Sequence, residues 1–168
     1  MARMPKHPLW KALEDAERGG EPEAKELYTL GGCHAYAFAQ AVRLQGTAVL
    51  TVEVAVPSQS GPYAKDTVHA WCIAGSTFLD YYGNIDCEEA LLARRHKESG
   101  SWPAFVKGTR AHNPKYFSPE EIQLVQAGQK PLPNKYFNEP GWLPQAMKLA
   151  DRIMTSEPAP NPNHLPSA

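Results

Sequence analysis

The architecture of this chain rests on the run Gly31-Gly32-Cys33-His34-Ala35-Tyr36-Ala37-Phe38-Ala39-Gln40-Ala41-Val42. Two glycines lead directly into a cysteine, and small and apolar residues follow it at helical spacing. This pattern predicts a buried helix over residues 33–45 that is ended by Gly46. Cys33 would then lie in the first helical turn, where free backbone N–H groups and the helix dipole stabilise a thiolate. We therefore expect the pKa of Cys33 to be lowered.

Two predicted strands further along the chain carry the side chains that a nucleophilic cysteine needs. Residues 67–73 alternate as a strand and include His69, and residues 77–82 form the next strand and include Asp80. An antiparallel hairpin sets the side chains of its two strands beside each other on one face. A nucleophile, a base within hydrogen-bond reach and a group that orients the base make up a catalytic triad. The sequence thus predicts a triad of Cys33, His69 and Asp80.

The order of these motifs resembles the core of transglutaminase-like proteins, which belong to the papain-like superfamily. The resemblance rests on Gly31-Gly32-Cys33, His69-Ala70-Trp71 and Phe78-Leu79-Asp80, and it covers residues 29–86. It implies an α+β fold in which the helix that begins at Cys33 packs on a small antiparallel sheet. It also implies a thiol-dependent acyl-transfer or amide-hydrolysing enzyme, either a cysteine peptidase, a deamidase or a transglutaminase-like protein. The substrate would be a protein, a peptide or another amide, and the reaction would pass through a thioester.

Three residues beside the triad are expected to contact the substrate: Gly32, His34 and Trp71. Gly32 leaves room for a substrate to approach the sulfur of Cys33. His34 is a poor base for that sulfur because neighbours on a helix point about 100° apart, so we expect it at the cleft instead. Trp71 shares a strand face with His69 and is expected to shield the site from water.

The residues leave alternatives to this arrangement open. If Asp80 only closes a turn, Asn84 or Asp86 would orient the base. A zinc site is a further alternative, with four candidate ligands: Cys33, His34, His69 and Cys72. The last two are three residues apart on a strand and therefore face opposite sides, so we expect no metal and no cofactor. A binding protein on a papain-like scaffold is the alternative to an enzyme, because a fold does not determine a function.

Composition limits the classes of protein that fit. The 168 residues suffice for one domain with a sizeable core. The net charge of −1 argues against a general nucleic-acid binder, which carries a clustered basic surface. No apolar run is long enough to span a membrane, and no apolar segment follows the basic N-terminus as in a signal peptide. Because the three cysteines are an odd number, they do not suggest a disulfide framework, and we expect a reduced, cytoplasmic protein.

The rest of the chain is predicted to surround this core with helices. A further strand is predicted over residues 47–56, which gives a sheet of three to five strands, and residues 101–117 are predicted to be irregular. Helices are predicted over residues 8–18, 21–27, 86–97, 118–127 and 143–154. Asp86 and Ser118 are the predicted N-caps of two of them. Residues 1–156 are expected to form a single domain, and residues 157–168 a proline-rich tail without regular structure.

Overall fold

The computed structural model describes residues 8–55, 64–99, 107–132 and 141–156. The predictions for residues 101–106 and for the tail at residues 157–168 lie outside these residues. Within them the chain forms helices α1 (Pro8–Gly19), α2 (Glu21–Thr29), α3 (Cys33–Leu44), α4 (Glu88–Ser99), α5 (Pro119–Gln126) and α6 (Trp142–Ser156). The strands are β1 (Thr47–Ala55), β2 (Ala64–Ala74), β3 (Thr77–Asp80), β4 (Gly83–Ile85), β5 (Arg110–His112) and β6 (Lys115–Phe117).

The strands form one antiparallel sheet in the order β4-β3-β2-β1-β5. Strand β5 pairs with residues 53–55 of β1, and β6 pairs with residues 48–50 of the same strand. The predicted α+β class is thereby confirmed. The prediction of at most five strands is wrong, since the sheet has six. The prediction of irregular structure up to residue 117 is also wrong, since β5 and β6 lie there. These strands have three residues each, which is too short to show a strand period, and Asn113 at a φ of 46° bends the chain between them.

Helix α3 packs against one side of the sheet. Its alanines Ala37 and Ala41 are buried and let the helix approach Ala70 and Cys72 of β2 closely. Leu44 is 46% exposed, so the fully buried part of this helix ends at Ala41. The hydrophobic core therefore lies mainly between α3, the sheet and the helices that pack on α3.

The opposite side of the sheet packs on α4. Because side chains alternate along a strand, the neighbours of Ala70 and Cys72 on β2 point to this second side. Trp71 is fully buried there with Leu91 and Leu92 of α4. Helix α4 begins at Glu88, so Asp86 lies before its first turn and the prediction that it caps the helix is wrong. The two sides of β2 thus meet different helices.

Outer helices are tied to this core by buried hydrogen bonds. The indole N–H of Trp142 on α6 donates to the carbonyl of Leu9 on α1 over 2.7 Å. The hydroxyl of Tyr28 on α2 donates to the carbonyl of Ala146 over the same distance. The predicted capping box at Ser118 is confirmed, with reciprocal bonds to Glu121. Among the described helices, none combines the length and the apolar character that crossing a membrane requires.

Candidate active site

His69 and Asp80 form a buried contact between neighbouring strands. Nε2 of the imidazole lies 3.1 Å from Oδ2 of the carboxylate, and each side chain is 2% exposed. The predicted contact between the two residues is confirmed. Because a carboxylate only accepts hydrogen bonds, Nε2–H of His69 is the donor, and the neutral ring then has its lone pair on Nδ1. This is the nitrogen that could accept a proton from another group.

The turn after β3 holds the other oxygen of the Asp80 carboxylate. Asp80 and Gly83 pair across the turn, and the backbone N–H of Tyr82 donates to Oδ1 of Asp80 over 2.9 Å. Aspartate is favoured in the first position of such turns and glycine in the fourth. Gly83 has a φ of 111°, which a residue with a Cβ rarely adopts. The local sequence therefore aims the carboxylate at β2.

Cys33 is the first residue of α3, and its thiol lies against the backbone of Ala70 in β2, which acts to lower its pKa. The pairing of β3 with β2 extends only as far as Cys72. Strand β3 therefore does not pair with Ala70. Since Ala70 directly follows His69, the fold brings the sulfur to the strand residue next to the imidazole. A direct contact between Cys33 and His69 stays a prediction.

Burial shifts the pKa of both the Cys33 thiol and the His69 imidazole, and the shift at Cys33 is opposite to the expected one. Burial raises the pKa of the Cys33 thiol to about 11, although Arg95 and the backbone of Ala70 act in the opposite direction. The prediction of a lowered pKa is therefore wrong, because removing a thiolate from water outweighs the helix terminus and the backbone hydrogen bonds. Burial also lowers the pKa of His69, against the influence of Asp80. The resting site thus holds a neutral thiol and a neutral imidazole.

Arg94 of α4 is a further member of the site that the sequence pattern did not single out. Its Nη2 donates to Oδ1 of Asp80 over 2.8 Å and to the carbonyl of Gly83 over 3.0 Å. Oδ1 thus accepts both this bond and the one from Tyr82, while Oδ2 faces His69. The carboxylate is therefore held at both oxygens.

Arg95, the next residue of α4, is 5% exposed, and its charge acts on both Cys33 and His69. A signal for both arginines exists in the sequence. They follow the buried Leu91 by three and four residues, and side chains at this spacing share one helical face. When that face of α4 packs on the sheet, Arg94 and Arg95 are brought to the sheet together with Leu91.

His34 lies in the core on the α3 side. It is fully buried, and its ring stacks on that of Trp142 with 5.2 Å between centroids. Burial lowers the pKa of His34 to about 3, and the hydrogen bond to the backbone of Gly31 only partly opposes this. These contacts give His34 a packing role, and its predicted contact with a substrate stays a prediction.

The other two predicted substrate contacts are also buried. A Cβ on Gly32 would lie 2.6 Å from the carbonyl oxygen of Leu27, so glycine is needed there for the close approach of α2. The ring of Trp71 lies 5.9 Å from that of His69 between centroids, on the same side of the sheet. This position agrees with shielding of His69 from water, whereas binding of a substrate by Gly32 or Trp71 stays a prediction.

The alternative arrangements are not assembled. Asn84 and Asp86 are exposed, and it is Asp80 that faces His69. The candidate zinc ligands do not converge, since His69 faces Asp80 and the ring of His34 stacks on Trp142. The described part of the chain contains no group of three or more His, Cys, Asp or Glu side chains placed to hold a metal ion. Comparison of the chain with protein-family models, with curated proteins and with solved structures gives no match.

Proposed function

We propose that this protein is a thiol-dependent enzyme that transfers or hydrolyses acyl groups, with a papain-like (transglutaminase-like) core. Cys33 is the nucleophile, His69 the base and Asp80 the group that orients the base. The observation that carries the proposal is the buried carboxylate of Asp80 at 3.1 Å from His69, beside the strand residue whose backbone contacts the Cys33 thiol. The substrate is a protein, a peptide or another amide.

The neutral resting state defines the first step. A thiol with a pKa of about 11 is not a thiolate at neutral pH, so Nδ1 of His69 takes the proton as the sulfur of Cys33 attacks the acyl carbon. A C–S bond forms, and the electron pair of the carbonyl moves to its oxygen, where the backbone N–H of Cys33 is a donor. Asp80 stabilises the imidazolium that results.

The second step releases the amine. The C–N bond breaks, the imidazolium of His69 donates its proton to the leaving nitrogen, and a thioester on Cys33 remains. Water attacks this thioester in a hydrolase, and a second amine attacks it in an acyltransferase. In both cases His69 accepts the proton of the attacking group, the C–S bond breaks, and His69 returns the proton to the sulfur of Cys33. The three free cysteines among the described residues fit a reduced compartment, and we propose a cytoplasmic location.

A binding protein on this scaffold is the second candidate. It is favoured by the burial of Cys33, which is 3% exposed, and by the raised pKa of its thiol. Both are properties of a cysteine that serves as a small core residue. The reactivity of Cys33 separates the two functions.

Cys72 provides a matched control for that reactivity. It is buried, and burial raises its pKa to about 11, as for Cys33. We expect p-nitrophenyl acetate at neutral pH to acetylate Cys33 faster than Cys72, as measured by peptide mass spectrometry. His69→Ala should slow the reaction of Cys33 by about a hundredfold or more, since a general base typically contributes 10²–10⁴-fold. The reaction of Cys72 should not change.

Equal reactivity of the two cysteines, together with an unchanged rate in His69→Ala, would exclude the enzyme and leave the binding protein. Acetylation of Cys33 that is fast but independent of His69 would contradict the assigned base. Circular dichroism of each variant shows whether the fold is retained.

A further inference from the structure

We infer that Arg94 is a positioning residue of this site, which holds the Asp80 carboxylate so that the proton of His69 stays on Nε2. Its catalytic meaning rests on the proposed function, because a proton on Nε2 leaves Nδ1 to act as the base. The location of that proton is measurable without any substrate.

One nitrogen of Arg94 contacts both the Asp80 carboxylate and the turn after β3. Nη2 lies 2.8 Å from Oδ1 of Asp80 and 3.0 Å from the carbonyl oxygen of Gly83. The guanidinium also lies 5.9 Å from the centroid of the Tyr82 ring, within cation–π range. The side chain of Arg94 is 20% exposed and that of Asp80 only 2%. A fixed cation thus lies between the buried carboxylate and the surface and bonds to both ends of the turn.

The two carboxylate oxygens of Asp80 contact different groups. Oδ1 accepts from Arg94 and from the N–H of Tyr82, and Oδ2 faces Nε2 of His69. Rotation of the carboxylate away from the imidazole would break both bonds at Oδ1. Because an ionised carboxylate is acceptor-only, Nε2 must be the donor as long as Asp80 is ionised. The guanidinium therefore acts on the imidazole through the carboxylate.

Removal of the guanidinium changes this arrangement. Without the guanidinium, Oδ1 of Asp80 keeps the bond from the N–H of Tyr82 alone, and the carboxylate can rotate away from Nε2 of His69. The ring proton is then no longer held on Nε2, and we expect it on Nδ1. A ring with its proton on Nδ1 cannot take the proton of Cys33 there.

Several charged groups act on the imidazole of His69, and the variants of Arg94 change one of them. Asp80 of β3 and Arg94 and Arg95 of α4 act on His69, and the Cys33 thiol lies at the adjacent strand residue. Arg94→Gln removes one of two cations, whereas Arg94→Lys keeps the charge. The two variants therefore separate the effect of the charge from that of the guanidinium shape.

Long-range ¹H–¹⁵N spectra of the full chain at neutral pH report the tautomer of each imidazole. We expect Nε2–H for His69 in the native protein and in Arg94→Lys, and a shift to Nδ1–H in Arg94→Gln. His34, buried on the other side of the sheet, should keep its tautomer throughout and so controls for a general change of fold. Acetylation of Cys33 should fall about tenfold in Arg94→Gln, less than the loss on removing the base itself.

A His69 tautomer that does not change in Arg94→Gln would overturn the inference. If Arg94→Gln fails to fold, Arg94→Lys decides, and a folded Lys variant with its proton on Nδ1 would overturn it equally. A tautomer that shifts as expected in a protein whose native Cys33 is not acetylated would support the role of Arg94 and refute the proposed enzyme. The two claims therefore fail separately.

Discussion

Each side of the sheet buries one histidine, His69 on the α4 side and His34 on the α3 side, and both are at most 1% exposed. His69 contacts a carboxylate, which in turn contacts a guanidinium. His34 stacks on Trp142 and lies edge-on to Phe38. Burial lowers the pKa of both imidazoles, but only at His69 does an anion act against it.

This difference shows that burial alone does not mark a catalytic histidine. On the α3 side the imidazole packs among aromatic rings, and no charged side chain is among the causes of its pKa shift. On the α4 side each polar group is the partner of the next, from Arg94 through Asp80 to His69. Loss of the carboxylate removes the acceptor that these groups share at a buried position, which costs more than the interactions contributed.

The largest loss of stability is therefore expected for a substitution on the α4 side. Asp80→Ala removes the carboxylate that faces Arg94, the N–H of Tyr82 and Nε2 of His69. We expect it to lower the free energy of unfolding by about 3–5 kcal/mol, as for other broken buried ion pairs. The matched change on the α3 side, His34→Phe, should cost less, about 1–2 kcal/mol, because it keeps a buried ring and loses only the contact with the backbone of Gly31.

Urea unfolding followed by circular dichroism measures both variants at neutral pH. Equal losses for Asp80→Ala and His34→Phe would contradict the difference between the two sides. Asp80→Asn should lie between them, since an amide keeps one acceptor oxygen for Arg94 and Tyr82.

The next largest loss of stability is expected on acidification. The pKa of His34 is about 3 in the folded chain, against an ordinary value of 6.5. Below pH 6.5 the unfolded chain therefore binds a proton that folded His34 does not, and stability is lost as the pH falls towards 3. One such group contributes a slope of about 1.4 kcal/mol per pH unit.

His34→Phe should remove this contribution, so that its unfolding free energy falls by about 2 kcal/mol less than that of the native chain between pH 6.5 and 5. Urea midpoints at a series of pH values measure the difference. His69 keeps a slope of the same sign in the variant, because burial lowers its pKa too. Parallel pH profiles for the two proteins would refute the assignment of a neutral, buried His34.

The parts of the site that local sequence determines were predictable. Helix α3 follows from the apolar spacing after Gly31-Gly32, and the orientation of Asp80 follows from the turn residues up to Gly83. The alternation of β2 separates His69 from Cys72 without reference to the rest of the chain. Each of these inferences needs only residues within a few positions of each other.

The remaining features depend on how distant elements pack. The pKa of Cys33 is set by complete burial, which the sequence of α3 does not reveal. Arg94 belongs to the site only because α4 lies against the turn after β3. Strands β5 and β6 exist only because β1 offers them an edge, since three residues carry no strand period of their own. Local sequence therefore indicates where the site lies, whereas the packing of distant elements determines its pKa values and its charged partners.

The smallest expected effect belongs to the α3 side and involves a predictable local feature. The hydroxyl of Ser118 accepts from the N–H of Glu121 over 3.2 Å and caps α5, whose Ile122 and Val125 belong to the α3-side core. Ser118→Ala should lower the free energy of unfolding by about 1 kcal/mol, as for other lost N-caps. Ser118→Asp should restore most of the loss, because a carboxylate can accept the same bond and favours a helix N-terminus. Since Ser118 and Glu121 are not among the groups that act on the pKa of either histidine, neither variant should change the tautomer of His69 or the pH slope due to His34. A change in either would mean that the two sides of the sheet are coupled through α5 and α3, contrary to their separate packing.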